Sequence, residues 1–378
     1  MAVLCKPAVA VPEHVITMEQ TIELGRTRYP DHPRLDVALR LIRGTGIRKR
    51  HLVQPIEQTL RHLGFEARNS VYRAQAERRL PPVIDQALRN ASLRPGDIDA
   101  TIFVSCTGFL MPSLTAWLIN ELGFRTDMRQ IPIAQLGCAA GGTAIGLARD
   151  FCAAHPLANV LIVSCEFCSL CYQPDDRHLG SLLSASLFGD AVAAAVVRGT
   201  DGTGPLLERS GSHLIPGTQS WISYDVKDTG FHFQLDKRVP NTLAPALGPV
   251  LGEFVAADGG DVANLDFYIV HAGGPRILDN LSDYFGLDPT RFRHSYATIR
   301  DYGNIASAVV LDSLHRLFEY GPPGVGAKGM IVGFGPGITA EFTLATWTSE
   351  QGPGPAERAE IAAASAADVL TWPSIPTP

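Results

Sequence analysis

Apolar positions along the chain fall into short dense runs separated by longer stretches with helical spacing. Residues 17–43 carry apolar positions at helical spacing, and residues 69–92 read as one long helix punctuated by Pro95-Gly96-Asp97. Ala100-Thr101-Ile102-Phe103-Val104-Ser105 is a compact run of the kind found in buried strands, as are Ile131 to Leu136 and Ala191 to Val197. Two helices rich in small residues are expected, one from Gly137 to about Ala154 and one from Gly303 to about Leu317. Strands rich in Ile and Val alternating with such helices predict an α/β layered fold. Residues 351–378, rich in Ala and Pro, are expected to form a flexible, loosely attached tail.

The pattern repeats. Ile102-Phe103-Val104-Ser105-Cys106 resembles Tyr268-Ile269-Val270-His271. Gly137-Cys138-Ala139-Ala140-Gly141 resembles Gly303-Asn304-Ile305-Ala306-Ser307, and Val160 to Ser164 resembles Gly329 to Gly333. Cys106 and Cys138 are 32 residues apart, against 33 for His271 and Asn304. Three blocks in one order at similar spacing predict a duplicated half, which we divide as residues 1–210 and 211–350. Related halves bring equivalent strand ends and helix starts together, and those positions hold Cys106, Cys138, His271 and Asn304.

Composition narrows the possibilities. The chain has 378 residues, 46% hydrophobic and 19% charged, with 32 Lys and Arg against 38 Asp and Glu. A charged fraction below the roughly 25% of an ordinary soluble domain points to a large core or a subunit interface. No basic stripe suggests a nucleic-acid surface, and no apolar run approaches the roughly 18 residues of a membrane span. The N-terminus, interrupted by Pro7 and Pro12, does not read as a signal peptide. Seven cysteines, an odd number, fit a reduced cytoplasmic compartment better than a disulfide framework.

Cys138 is the first candidate for chemistry. It lies between a strand and a helix start of almost no side-chain bulk, where unpaired N–H groups lower a thiol pKa and a substrate carbonyl can approach the backbone. An isolated cysteine there is more often structural, and a strand-end His271 or a helix-capping Asn304 is ordinary alone. Together they supply a nucleophile, a base or cation, and an amide donor, the set required for acyl transfer through a thioester. An imidazolium–thiolate pair of His271 with Cys138 is the expected resting form. Paired donors from His271 and Asn304 would stabilise the enolate left when a malonyl thioester loses carbon dioxide.

Other motifs carry less. Cys165-x-x-Cys168-x-x-Cys171 opens like an iron–sulfur motif, but Asp175 stands where the fourth cysteine belongs. Gly335-Pro336-Gly337-Ile338-Thr339-Ala340 fits a dinucleotide-binding spacing, yet Glu341 to Trp347 alternates like a strand where a helix is required. No metal site and no cofactor are expected.

The blocks around Cys138, His271 and Asn304, with Gly333-Phe334-Gly335-Pro336-Gly337, resemble the type III polyketide synthases of the chalcone synthase superfamily. Leu4-Cys5-Lys6-Pro7, Ser105 to Phe109, Cys165 to Pro174 and Gly230-Phe231-His232-Phe233 resemble most of all a bacterial branch that builds a pentaketide naphthalene. The resemblance implies a thiolase-like αβαβα fold, a homodimer, and malonyl-CoA as both starter and extender, with coenzyme A thioesters as substrates. It implies a Cys138–His271–Asn304 triad with Phe188 and Phe233 as aromatic gatekeepers and Gly335 and Pro336 in the cavity loop. It also implies that Met111 reaches the partner subunit's cavity, and that Cys106, Cys171 and Tyr224 line a product-determining wall. The bulk of Tyr224 argues for a small starter over a fatty acyl one, the alternative within the family. A single-condensation ketoacyl synthase is a further alternative. Arg48, Lys49 and Arg50 are candidates for the coenzyme A phosphates.

Overall fold

The structure is a computed structural model that describes residues 1–349 except 62 and 272. The expected tail, 351–378, lies outside the described residues. The N-terminal half contains helix α1 (Phe65–Asn90), strands β1 (Ala100–Val104) and β2 (Arg129–Ile133), helix α2 (Ala140–Ala154), and strands β3 (Asn159–Phe167) and β4 (Asp190–Arg198). There follow strand β5 (Gly204–Leu214), helix α3 (Val239–Ala256), strand β6 (Phe267–Val270), and helices α4 (Pro275–Phe285), α5 (Arg293–Tyr302) and α6 (Val309–Tyr320). Strands β7 (Lys328–Gly335) and β8 (Thr339–Thr348) complete the described chain. The helical pattern of residues 17–43 is divided into Met18–Arg28 and Leu35–Arg43, with Pro30 and Pro33 between them.

Pairing follows the duplication. β1 runs parallel to β2 and β3, and β3 antiparallel to β4; β6 runs parallel to β7, and β7 antiparallel to β8. The two sets join through Val3–Leu4 and β5 into one sheet ordered β6-β7-β8-β5-(Val3–Leu4)-β4-β3-β1-β2. The expected boundary at 210/211 falls inside β5, which pairs with β8 from Gly204 to Leu214 and, on its other edge, with Val3 at Leu206.

Alternation along the strands builds the layers, because successive side chains face opposite sides. Ile102, Val104, Ile162, Ala193, Ala195, Phe267, Ile269 and Ile331 all face one core with α2 and α6. The opposite face of the first set, formed by Phe103, Leu161, Val163, Val192 and Ala194, packs on α1. The opposite face of the second set, Tyr268, Val270, Met330 and Val332, packs on α3, α4 and α5. The result is helix, sheet, buried helix pair, sheet, helix.

The buried pair packs backbone against backbone. A side chain on Gly141 would overlap the Ser307 carbonyl oxygen and stand 2.6 Å from Val310 Cγ2. Gly141→Ala should therefore cost about 1–3 kcal/mol as overpacking in urea unfolding. Gly252→Ala, at an open helical site in α3, should be neutral or slightly stabilising. A Gly141→Ala protein as stable as its parent would contradict this contact.

Candidate active site

The same alternation aims the polar residues. Continuing the inward positions of β1, β3, β6 and β7 leads to Cys106, then Ser164 and Glu166, then His271, then Gly333 and Gly335. All meet at the starts of α2 and α6. Ser164 Oγ lies 2.7 Å from Ser307 Oγ, joining the two halves.

Cys138 sits in the tight turn Gly137–Ala139 that opens α2. Gly137 adopts a positive φ of 50°. A side chain there would stand 2.7 Å from the Pro336 ring, and one on Gly335 would stand 2.5 Å from the Ala139 nitrogen. Gly335 and Pro336 thus wall the Cys138 turn through backbone proximity that only glycine permits. Asn304 follows Gly303, whose φ is 74°. Its Oδ1 accepts the Ala306 N–H at 2.9 Å, which fixes the amide plane and leaves the NH2 group to donate to the Cys138 sulfur. His271 is buried at the end of β6, where its backbone N–H donates to the Val332 carbonyl at 2.7 Å. Its Nδ1 has no hydrogen-bond partner among the described residues. Gly273, two residues on, approaches the Asn304 amide: a side chain there would lie 3.9 Å from Nδ2.

Burial governs the electrostatics. It pushes the Cys138 thiol up to about 12, and the nearby Glu166 carboxylate adds to the rise against the Asn304 hydrogen bond. It pushes the His271 imidazole down to about 3. Neither group ionises alone near neutral pH. Both shifts favour the neutral thiol and the neutral imidazole, against the expected imidazolium–thiolate pair as the resting form.

Glu166 is a residue of the site that reading the sequence misses. It is fully buried and accepts from Cys106 N–H at 3.1 Å, Thr107 Oγ1 at 3.0 Å and the Ser307 hydroxyl, with Cys106 Sγ at 3.5 Å. Desolvation raises its pKa to about 7, against those hydrogen bonds. A carboxylate inside the apolar run Val160 to Phe167 is the signal that could have found it, since glutamate is almost never fully buried without partners. Burial first and Glu166 second also push the Cys106 thiol well above its usual range.

Phe188, Phe233 and Tyr224 form one aromatic cluster. Phe188 and Phe233 meet edge to face at 5.1 Å, and Tyr224 meets Phe233 at 5.6 Å. Tyr224 and Phe233 are cross-strand neighbours in the hairpin Ile222–Lys227/Gly230–Leu235. The Cys171 thiol is 3.8 Å from the Thr107 carbonyl and shares a hydrogen bond with Tyr224. Behind this wall is a cavity of about 130 Å³, lined by Tyr224, Phe188, Cys171, Leu24, Leu39 and Leu60 among others. Met111 is 86% exposed.

The basic cluster divides. Arg48 and Lys49 are exposed, but Arg50 is 5% exposed and committed to internal partners. Its guanidinium donates to the Ala185 and Phe188 carbonyls and to Thr21 Oγ1, so the expectation that it binds coenzyme A phosphates is corrected. The strand Lys49–Leu52 explains the split, since a buried position follows two exposed ones as the strand enters the core. All seven cysteines are free thiols, and among the described residues no group of three or more His, Cys, Asp or Glu side chains is placed to hold a metal.

Comparison with known proteins decides the family. The patterns for the chalcone and stilbene synthases match residues 2–202 (N-terminal domain) and 207–346 (C-terminal domain). The chain belongs to the chalcone and stilbene synthase family. It is a type III polyketide synthase, an acyltransferase with the thiolase-like fold. It is 65% identical to the 1,3,6,8-tetrahydroxynaphthalene synthase of Streptomyces coelicolor over 92% of each chain. It is 44% identical to the phloroglucinol synthase of Pseudomonas fluorescens over 92% of this chain and all of that one. The crystal structure of the S. coelicolor synthase superposes with a TM-score of 0.90 at 64% identity, covering 92% of this chain and 99% of that one.

The Glu166 charge disfavours a thiolate at Cys138 and Cys106. Above pH 7, where that carboxylate ionises, Glu166→Gln should shift iodoacetamide labelling of both thiols to lower pH. Peptide mapping across pH 6–10 reads the shift; a profile that stays in place or moves upward would contradict this placement.

Proposed function

We infer that this polyketide synthase condenses malonyl-CoA, as both starter and extender, into a pentaketide that cyclises to tetrahydroxynaphthalene. The likeness to the Streptomyces enzyme across nine-tenths of both chains carries the reading. The site chemistry is consistent with it. Cys138, its proton taken by His271, attacks the malonyl thioester carbonyl; the carbon–sulfur bond to coenzyme A breaks and the acyl group stays on the cysteine. A second malonyl-CoA loses carbon dioxide, and the enolate oxygen accepts hydrogen bonds from protonated His271 and the Asn304 amide. The enolate carbon attacks the Cys138 thioester, the thiolate departs, and the chain leaves two carbons longer on coenzyme A. Ten ring carbons at two per malonyl unit require five units.

Met111 and Phe109, both exposed, support a homodimer built on this loop, Met111 reaching the partner's cavity. Among the described residues no helix is long and apolar enough to cross a membrane, and the seven free thiols suit a reducing cytoplasm.

A second reading has one observation behind it. The cavity behind Tyr224 is lined by Leu24, Leu35, Leu39 and Leu60, apolar enough for a fatty acyl starter. Tyr224 and Phe233 also line it, and their bulk favours malonyl in the unaltered protein.

Malonyl-CoA as sole substrate should yield the naphthalene or its air-oxidised quinone by mass spectrometry. Acetyl-CoA or short pyrones alone would move the starter to a longer acyl-CoA. Cys138→Ala should abolish polyketide while retaining some malonyl decarboxylation, and full-length product from it would remove Cys138 from loading. Tyr224→Gly should raise octanoyl-CoA incorporation relative to malonyl priming; an unchanged starter preference would contradict the volume argument.

A further inference from the structure

We propose that Arg50 is a positioning residue that sets the Phe188 gate and the Asn304 amide in register with each other. The assignment rests on the decarboxylative reading of the site.

One guanidinium nitrogen of Arg50 donates to two carbonyls, Ala185 and Phe188, which bracket the end of the helix Leu179–Leu187 that carries the gate. The other donates to Thr21 Oγ1 at 2.8 Å, on the helix Met18–Arg28. The gate backbone is in turn joined to the donor backbone: Asn304 N–H donates to the Leu187 carbonyl at 2.8 Å, and Gly189 N–H donates to the Asn304 carbonyl at 3.0 Å. Gly303 completes the arrangement, because a side chain there would stand 2.9 Å from Arg50 Cγ. Gly189 lies against the Tyr302 carbonyl with no room for a side chain between them. One buried side chain thus grips the gate segment and packs on the residue before Asn304, without reaching the reacting atoms.

The charge is held for this purpose. Burial lowers the Arg50 pKa to about 10, opposed by the Asp190 carboxylate. Asp190 is itself buried and accepts from Val53 N–H at 2.8 Å and from the Ser169 N–H at 2.8 Å and hydroxyl. Ser169 lies in the turn Cys168–Cys171, so the same charge pair also fixes the cysteine wall of the cavity. The planar fork spans two elements at once, one nitrogen on the gate carbonyls and the other on Thr21 Oγ1; a lysine ammonium, a single point donor on a flexible stem, does not reach both.

Arg50→Lys separates positioning from bulk stability, because it keeps the charge opposite Asp190 and loses the fork. The measurement is the steady-state rate on malonyl-CoA with polyketide and acetyl-CoA both quantified, beside thermal unfolding. KM should stay within about threefold, while polyketide kcat falls about tenfold to a hundredfold from misplacement of the gate and amide. The ratio of released acetyl-CoA to polyketide should rise, since decarboxylation then outruns productive condensation. A rate that falls only with the folded fraction, at an unchanged product ratio, would overturn the assignment. If Arg50→Lys does not fold, Thr21→Val removes one of the three acceptors; it should move the ratio the same way by about two- to fivefold, and an unmoved ratio overturns the proposal. Unaltered protein is assayed in parallel. Its failure to make polyketide would count against the functional reading, whereas a competent parent with unmoved variants counts against Arg50 alone.

Discussion

The contact on which the site depends is the one between the starts of the two buried helices. Gly141 meets the Ser307 carbonyl with no room for a β-carbon, and Ser164 bonds Ser307 across the same seam. Each helix carries a polar residue at its opening, Cys138 on one side and Asn304 on the other. With two small-residue helix starts pressed together, Cys138 and the Asn304 amide become neighbours despite lying far apart in the chain. Interiors are close-packed and do not deform continuously, so this seam fixes geometry in a way that exposed loops would not.

Placing chemistry in the core of a duplicated fold carries an electrostatic consequence. Water is excluded, so the thiol, the imidazole and the nearby carboxylate are all pushed toward their neutral forms. The same exclusion strengthens any hydrogen bond made to a developing enolate and protects the growing chain from hydrolysis. The burial that makes the resting thiol inert also makes the site selective for a substrate that fits.

Much of this is legible in the sequence because the duplicated blocks have two visible features, apolar alternation and glycine-bearing helix starts. The spacing of Cys106, Cys138, His271 and Asn304 predicts their convergence, and the structure brings Cys138 and Asn304 into hydrogen-bond contact. Arg50 shows where such reading fails. Three consecutive basic residues look alike as letters, but a strand entering the core buries its third position and leaves two outside. Glu166 escapes for a related reason: its partners, Cys106, Thr107 and Ser307, are distant in the chain and are brought in by strand pairing and the helix seam. The cavity behind Tyr224 is likewise assembled from segments far apart, and no local pattern records it. Residue types that act alone leave local signals; buried polar clusters and cavities belong to the tertiary structure.

The central claim is that the growing chain is held on Cys138 within this seam. Its most direct test is peptide mass mapping after a short incubation with isotopically labelled malonyl-CoA and rapid acid quenching. The account predicts labelled acyl mass on the peptide containing Cys138, with Cys106 unmodified, loss of that label in His271→Ala, and a label that stops at the mass of the starter acyl group in Asn304→Ala. Labelled acyl groups on Cys106, or on Cys171, with Cys138 unmodified would contradict it.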